Sequence, residues 1–251
     1  MPADPRRVAP RARPAATPSL LYLPDLEAAG AILELTSDEA RYVARVCRAR
    51  AGETVYATDG RGALARLRLT SVTAKVSAEV VAVEHVERPR SLVLWCGAPE
   101  RGRADWLVEK LAELGVARFQ PLECDGEPWP EGRARIERWR RLAVAALRQS
   151  RRAFLMEIGS PVPLAAAIEA MERPALCWVG DPDGSPAEPD LRPGALDIGA
   201  IGPSGGFAAR ERERLGAAGF VPLRLSDGRL RTETAAISLA AWWAAAGPRR
   251  A

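Results

Sequence analysis

The residues whose types and spacing suit chemistry gather in three places. The first is Ile201-Gly-Pro-Ser-Gly-Gly-Phe207, directly after an apolar, strand-like run. Glycines there let the backbone approach a ligand closely and aim N–H groups at it, although a plain tight turn asks for glycine equally. The run fits neither the dinucleotide-binding GxGxxG spacing nor the phosphate-loop GxxxxGK pattern. The second is Leu225-Ser-Asp-Gly-Arg-Leu-Arg-Thr-Glu-Thr-Ala235, a loop feeding the last helix. Thr232 or Thr234 is placed to cap that helix. Arg229 and Arg231 add positive charge where the helix dipole is already positive, which asks for an anionic group nearby. The third is Arg133 to Arg152, with eight arginines and one acid, Glu137. On a helical wheel Arg138, Arg141, Arg148 and Arg152 fall within an arc of about 80°, opposite Ile136, Trp139, Leu142, Ala143, Ala146 and Leu147. Guanidiniums crowded without acids match phosphate, and so RNA or DNA; a merely solvated face is the plainer reading.

The elements that must position these residues read as two units. From Leu20 to about Glu87 short strands alternate with turns. Ala31 to Leu35, Thr54 to Ala57, Ala63 to Thr70 and Lys75 to Glu84 are strand-like, Asp59-Gly60 is a turn, and Ser37 to Arg48 is a short helix capped by Ser37 or Asp38. A small β barrel or sandwich, serving as a binding module, is the expectation. Glu87-Arg-Pro-Arg90 reads as a hinge. Beyond it, apolar runs at Leu92–Cys96, Val116–Leu122, Ala175–Val179, Ala195–Gly202 and Phe220–Leu225 suit strands buried on both faces. They alternate with helices around Leu107–Leu114, Gly132–Arg152 and Thr232–Ala246. That alternation predicts an α/β domain.

At these residues the chain resembles the SPOUT family of knotted methyltransferases. More narrowly it resembles the ribosomal RNA small-subunit methyltransferase E family, which methylates N3 of a uridine in the ribosomal RNA of the small (16S) subunit. The carriers are the IGPxGGF run and the loop ending in LRTETA, together with Val46-Cys-Arg48, Asp59-Gly-Arg-Gly62, Trp106 to Gly115 and Gln149-Ser-Arg-Arg152. The Arg- and Pro-rich composition of 1–19 reads as a disordered leader, and the resemblance implies a PUA-like RNA-binding β domain over 20–87 and a deep trefoil-knot methyltransferase domain over 91–247. It implies S-adenosyl-L-methionine bound within three loops, carried over to Val179, Gly180, Ile201, Gly202, Pro203, Gly205, Gly206, Leu225, Ser226, Leu230, Arg231 and Thr232. It also implies a homodimer acting on ribosomal RNA or the small subunit in the cytoplasm. Arg48, Arg138, Arg141, Arg148 and Arg152 are the expected RNA contacts.

Uracil N3 must lose its proton to become nucleophilic. Arg231 is the cation expected to stabilise the resulting anion, and Glu233 the carboxylate expected to take the proton, with Asp227 nearby and the helix start as the other role for Glu233. The only histidine, His85, lies by the hinge and is an improbable base. Four positions depart from the family pattern: Ser204 replaces a glutamate, Arg148 another glutamate, Arg41 or Tyr42 a histidine, and Ser226 a glycine. Two other readings therefore stay open. One is a different RNA target, a ribose 2′-hydroxyl or another base; the other is a catalytically weakened RNA-binding or ribosome-assembly protein. The Trp242-Trp243 pair suits a subunit or RNA contact as well as a core.

Composition bounds the rest. The 36 Lys and Arg against 32 Asp and Glu permit a polyanionic partner without requiring one. Four dispersed cysteines form no CxxC pair, so no metal site is expected and a reducing compartment is. No apolar stretch reaches membrane-spanning length, and the Arg- and Pro-rich start has no hydrophobic core of a secretory signal.

Overall fold

The computed structural model describes residues 20–88, 90–129, 132–171, 174, 176–186 and 194–246. The leader, Pro89 of the hinge and the expected domain end at 247 lie outside these residues.

The first unit is built from β1 (Leu20–Tyr22), β2 (Ile32–Glu34), α1 (Ser37–Arg41), β3 (Thr54–Thr58), β4 (Ala63–Val72) and β5 (Val76–His85). The strands form a mixed sheet in the order β1-β3-β4-β5-β2, in which β1 runs parallel to β3 and the other pairs are antiparallel. Period-two alternation sends Val55, Ala57, Ala65, Leu67, Leu69, Val76, Ala78 and Val80 into one core. Asp59 makes the β3–β4 turn: its Oδ1 accepts from the N–H groups of Arg61 (2.7 Å) and Ala63 (3.0 Å). The helix expected over Ser37–Arg48 divides. Its cap is Thr36, whose side chain accepts from Glu39 N–H, and α1 passes at Tyr42 into a π-helical segment, Tyr42–Cys47. The two helices differ in residues per turn, but the π-helical segment is only 6 residues long, too short for its side-chain pattern to separate them.

The second unit contains β6 (Ser91–Cys96), α2 (Ala104–Leu114), β7 (Arg118–Glu123), α3 (Arg133–Ser150), β8 (Glu157–Ile158), β9 (Val162–Pro163), α4 (Leu164–Glu169), β10 (Leu176–Ser185), β11 (Leu196–Ile201), α5 (Ala209–Ala217), β12 (Val221–Leu223) and α6 (Thr232–Ala245). Its sheet is parallel throughout, ordered β12-β10-β11-β6-β7-β8, with β9 joined to β7. Both faces are covered. Leu92, Leu94 and Cys96 pack with α2, α3 and α6, while Trp95 packs with Val179, Ala200, Phe207 and Phe220 on the other side.

Three features differ from expectation. β10 continues to Ser185 rather than ending at Val179. β8, β9 and α4 are too short to leave a periodic signal. α5 has only Glu211 and Leu215 buried, so it carries no apolar stripe. The hinge is anchored at its end: the Arg90 guanidinium lies 4.1 Å from the centre of the Trp243 ring and donates to the Trp243 carbonyl. Trp243 is buried and donates to Asp197 Oδ2 at 2.8 Å, and Trp242 packs edge-on to Trp178 at 5.0 Å. Trp243 therefore serves the core, and half-buried Trp242 packs against it.

Candidate functional site

The carboxyl ends of β10, β11 and β12 meet at one cavity of about 410 Å³. In open parallel sheets this is where ligands bind. Val179, Gly180, Ile201, Gly202, Pro203, Gly205, Gly206, Leu225, Ser226, Leu230 and Thr232 all line it. Sequence separations of more than fifty residues close here because three parallel strands lie side by side.

Backbone crowding requires the glycine at 202, and a positive φ favours the one at 206. A Cβ on Gly202 would stand 2.7 Å from the backbone nitrogen of Phe207, and one on Gly180 would strike Ile201 Cδ1. Gly206 has φ +86°, the left-handed region. Thr232 does not cap α6 with its side chain. Arg231 holds the cap position, and the Thr232 hydroxyl donates to the Gly202 carbonyl at 3.1 Å, tying the third loop to the second. Ser226 Oγ accepts from Gly228 N–H at 3.2 Å, closing the turn at the position where the family has glycine.

Arg231 does not line the cavity. Its exposed side chain is ion-paired with Glu100, in the loop after β6, so the anionic group required near the start of α6 comes from the protein itself. Glu233 is buried, 3.7 Å from Arg103 Nε, with Oε2 unpartnered, and it too is absent from the cavity wall. Asp227 is exposed on the third loop, and His85 ends β5 in the other unit. Asp181 and Asp183 line the cavity, and two further carboxylates not singled out from the sequence touch this region: Glu100, and Glu127, which contacts Ser204 and Gly205. Both come from loops distant in the chain, with no local motif.

The three buried thiols are not ready nucleophiles. Burial pushes Cys124 up to about 12 and Cys177 up to about 11, and drives Cys96 higher still. Among the described residues no three potential metal ligands cluster.

The arginine stripe differs from the expectation of unpartnered charge. Arg138 bridges to Asp105 at 2.6 Å, and Arg152 Nε donates to the Glu113 carbonyl at 2.7 Å. Arg148 pairs with buried Glu39 of the first unit and lies 4.9 Å from the centre of the Tyr42 ring. Arg148, itself a departure from the family pattern, therefore touches Tyr42, one of the two residues read at the histidine position. Burial raises Glu39 above the usual carboxylate range, opposed by the Arg148 charge and hydrogen bond. Arg141 is exposed with no ion pair among the described residues, and Arg48 is exposed at the end of the π-helical segment with φ +50°.

Residues 86–244 match the model of the RNA methyltransferase domain, and residues 35–81 that of the RNA methyltransferase PUA domain. The chain is 30% identical over 235 residues to the ribosomal RNA small subunit methyltransferase E of Mycobacterium bovis, covering 86% of this chain and 87% of that protein. It belongs to the ribosomal RNA small subunit methyltransferase E family. The family member of Synechocystis is 27% identical over 212 residues, 82% of this chain and 70% of the relative. The fold agrees. The Neisseria gonorrhoeae family member, solved bound to S-adenosyl methionine, superposes with a TM-score of 0.82 at 25% identity, over 90% of this chain and 96% of that one. A Legionella pneumophila methyltransferase, also solved with that cofactor, gives 0.78 at 27% identity, over 91% and 98%.

Proposed function

We propose that this protein methylates N3 of a uridine in small-subunit ribosomal RNA, with S-adenosyl-L-methionine held in the cavity at the ends of β10, β11 and β12. The observation that carries the reading is the meeting of three separate loops in one glycine-lined cavity, in a family whose Neisseria member was solved with that cofactor. The residues present fit such a group. Val179, Ile201, Leu223, Leu225 and Leu230 offer apolar walls for a nucleobase, while glycine backbone allows close approach to a polar ligand. Under this reading the loops thread as the deep knot of the SPOUT family, and two copies form the working enzyme in the cytoplasm, where the ribosomal substrate is.

The bound cofactor supplies a methyl group already activated as a sulfonium, so the protein's task is chiefly to hold donor and acceptor in line. Arg231 stabilises the uracil anion, with Glu100 fixing the guanidinium until RNA arrives. Glu233, buried against Arg103, anchors the start of α6 rather than exchanging the proton. Asp227, exposed on the third loop, is the carboxylate assigned to receive it.

The test is methyl transfer from labelled S-adenosylmethionine to small subunits lacking the modification, followed by nucleoside mass spectrometry. Label in 3-methyluridine is expected. Label on another nucleoside moves the target within the same class. Absence of label, with subunit binding intact, leaves an RNA-binding assembly protein.

A further inference from the structure

Glu127 belongs to none of the three loops that line the cavity. It sits half-buried in the turn after β7, yet its carboxylate engages the glycine-rich loop at two points. Oε1 accepts from Gly205 N–H at 2.6 Å, and Oε2 accepts from the Ser204 hydroxyl. The same turn grips the far end of that loop. Asp125 pairs with Arg210, and Asp125 N–H donates to Glu211 Oε1 at 3.0 Å, while Glu211 Oε2 accepts from Ala208 N–H at 2.8 Å. Ser204 is also the junction with other segments: its N–H donates to the Ala98 carbonyl at 3.2 Å, and its carbonyl accepts from Arg229 in the third loop at 3.4 Å.

At position 204, where the family resemblance implies a glutamate, this chain has serine. We propose that Glu127 is a positioning residue for the ligand loop, delivering from the turn after β7 the carboxylate that position 204 lacks. The proposal rests on the cavity binding S-adenosylmethionine. Its physical basis is entropic: Gly205 and Gly206 adjoin, and glycine loses more freedom on ordering than any other residue. A carboxylate that holds the Gly205 amide and the Ser204 hydroxyl removes that freedom before the ligand binds, so less is lost at binding. The glycine at 205 fits the same arrangement, because a Cβ there would stand 2.5 Å from Glu127 Oε1.

The experiment compares the full-length protein with Glu127→Ala, Glu127→Gln and Glu127→Ala/Ser204→Glu. Cofactor affinity is measured by calorimetry, and amide exchange over residues 202–207 is measured without ligand. Glu127→Ala is expected to weaken S-adenosylmethionine binding about tenfold, or roughly 1.4 kcal/mol. KM for the cofactor should rise in parallel, kcat at saturation should change little, and exchange in the loop should quicken. Glu127→Gln should stay within about threefold of the parent, because its amide oxygen still accepts from Gly205 and Ser204 can reverse its hydroxyl. Ser204→Glu should recover most of the affinity lost in Glu127→Ala.

Parent-like affinity and exchange in Glu127→Ala would overturn the proposal. So would a Glu127→Gln variant that binds cofactor normally and loses turnover, since that identifies a role for the charge. A parent protein that binds no cofactor, with exchange still quickened in Glu127→Ala, would sink the functional reading and leave the clamp standing.

Discussion

The cavity at the ends of β10, β11 and β12 and the arginine face of α3 are both motif-bearing regions, yet folding treated them in opposite ways. At the cavity, eleven of the twelve residues expected from the motifs line one space, Arg231 being the exception. On α3, three of the four aligned arginines turned out to have partners from elsewhere in the chain: Asp105, Glu39 and the Glu113 carbonyl. A glycine requirement is local, set by how close backbones must come, so it survives into the fold unchanged. A charge requirement is long-range, and any acid that the fold delivers satisfies it. A stripe of arginines is therefore weaker evidence of an external phosphate than a run of glycines is of a ligand.

The contrast breaks most readily at Arg148. Arg148→Ala should lower stability by about 3 kcal/mol, because it strands Glu39 as an unpaired buried carboxylate; chemical denaturation reads this directly. The pH dependence has a definite sign. Glu39 in the folded protein is raised above its ordinary value of 4.5, so its favourable contribution is full below that value and is lost as pH rises through the folded value. Without Arg148 the rise grows, so the deficit of the variant should be larger at pH 8 than at pH 5. Equal deficits at both would show that Glu39 is not the group left uncompensated.

At the cavity, Arg231→Ala should cut kcat about a hundredfold with cofactor affinity preserved, as expected for a group that acts on developing charge. Unchanged turnover at saturating cofactor would remove Arg231 from the chemistry and return it to a partner of Glu100 alone. Gly202→Ala tests the glycine requirement itself. The new methyl would meet Phe207 N at 2.7 Å, and cofactor binding should weaken about thirtyfold, or roughly 2 kcal/mol; calorimetry measures it.

The smallest effect sharpens the comparison most. Arg141 is exposed and has no ion pair among the described residues, so it is the stripe residue best placed to test RNA contact. Arg141→Glu should weaken RNA binding a few-fold and reduce the salt slope by about 1. Arg138→Glu should change the slope less, because Asp105 already holds that guanidinium. Identical slopes for both variants would make the intramolecular pairing irrelevant to RNA contact.

What the sequence determined by itself lies within short reach along the chain. Apolar runs set the strands of the parallel sheet, period-two alternation set the first unit's core, and glycines flagged the loop at 201–207, while the other two loops came from the family resemblance. These rules act over a few residues, where backbone sterics and side-chain periodicity are fixed by residue type alone. What only the tertiary structure decided were contacts between distant residues. Arg148 meets Glu39 across 109 positions, Glu127 reaches Gly205 across 78, and the Thr232 hydroxyl turns from its own helix to Gly202, 30 positions away. Helix α5, strands β8 and β9, and the π-helical segment were also decided there. Each has too little apolar periodicity of its own and takes its form from the neighbours it packs against. Charge acts on whichever group folding brings near, and the order of residues along the chain does not specify that neighbour.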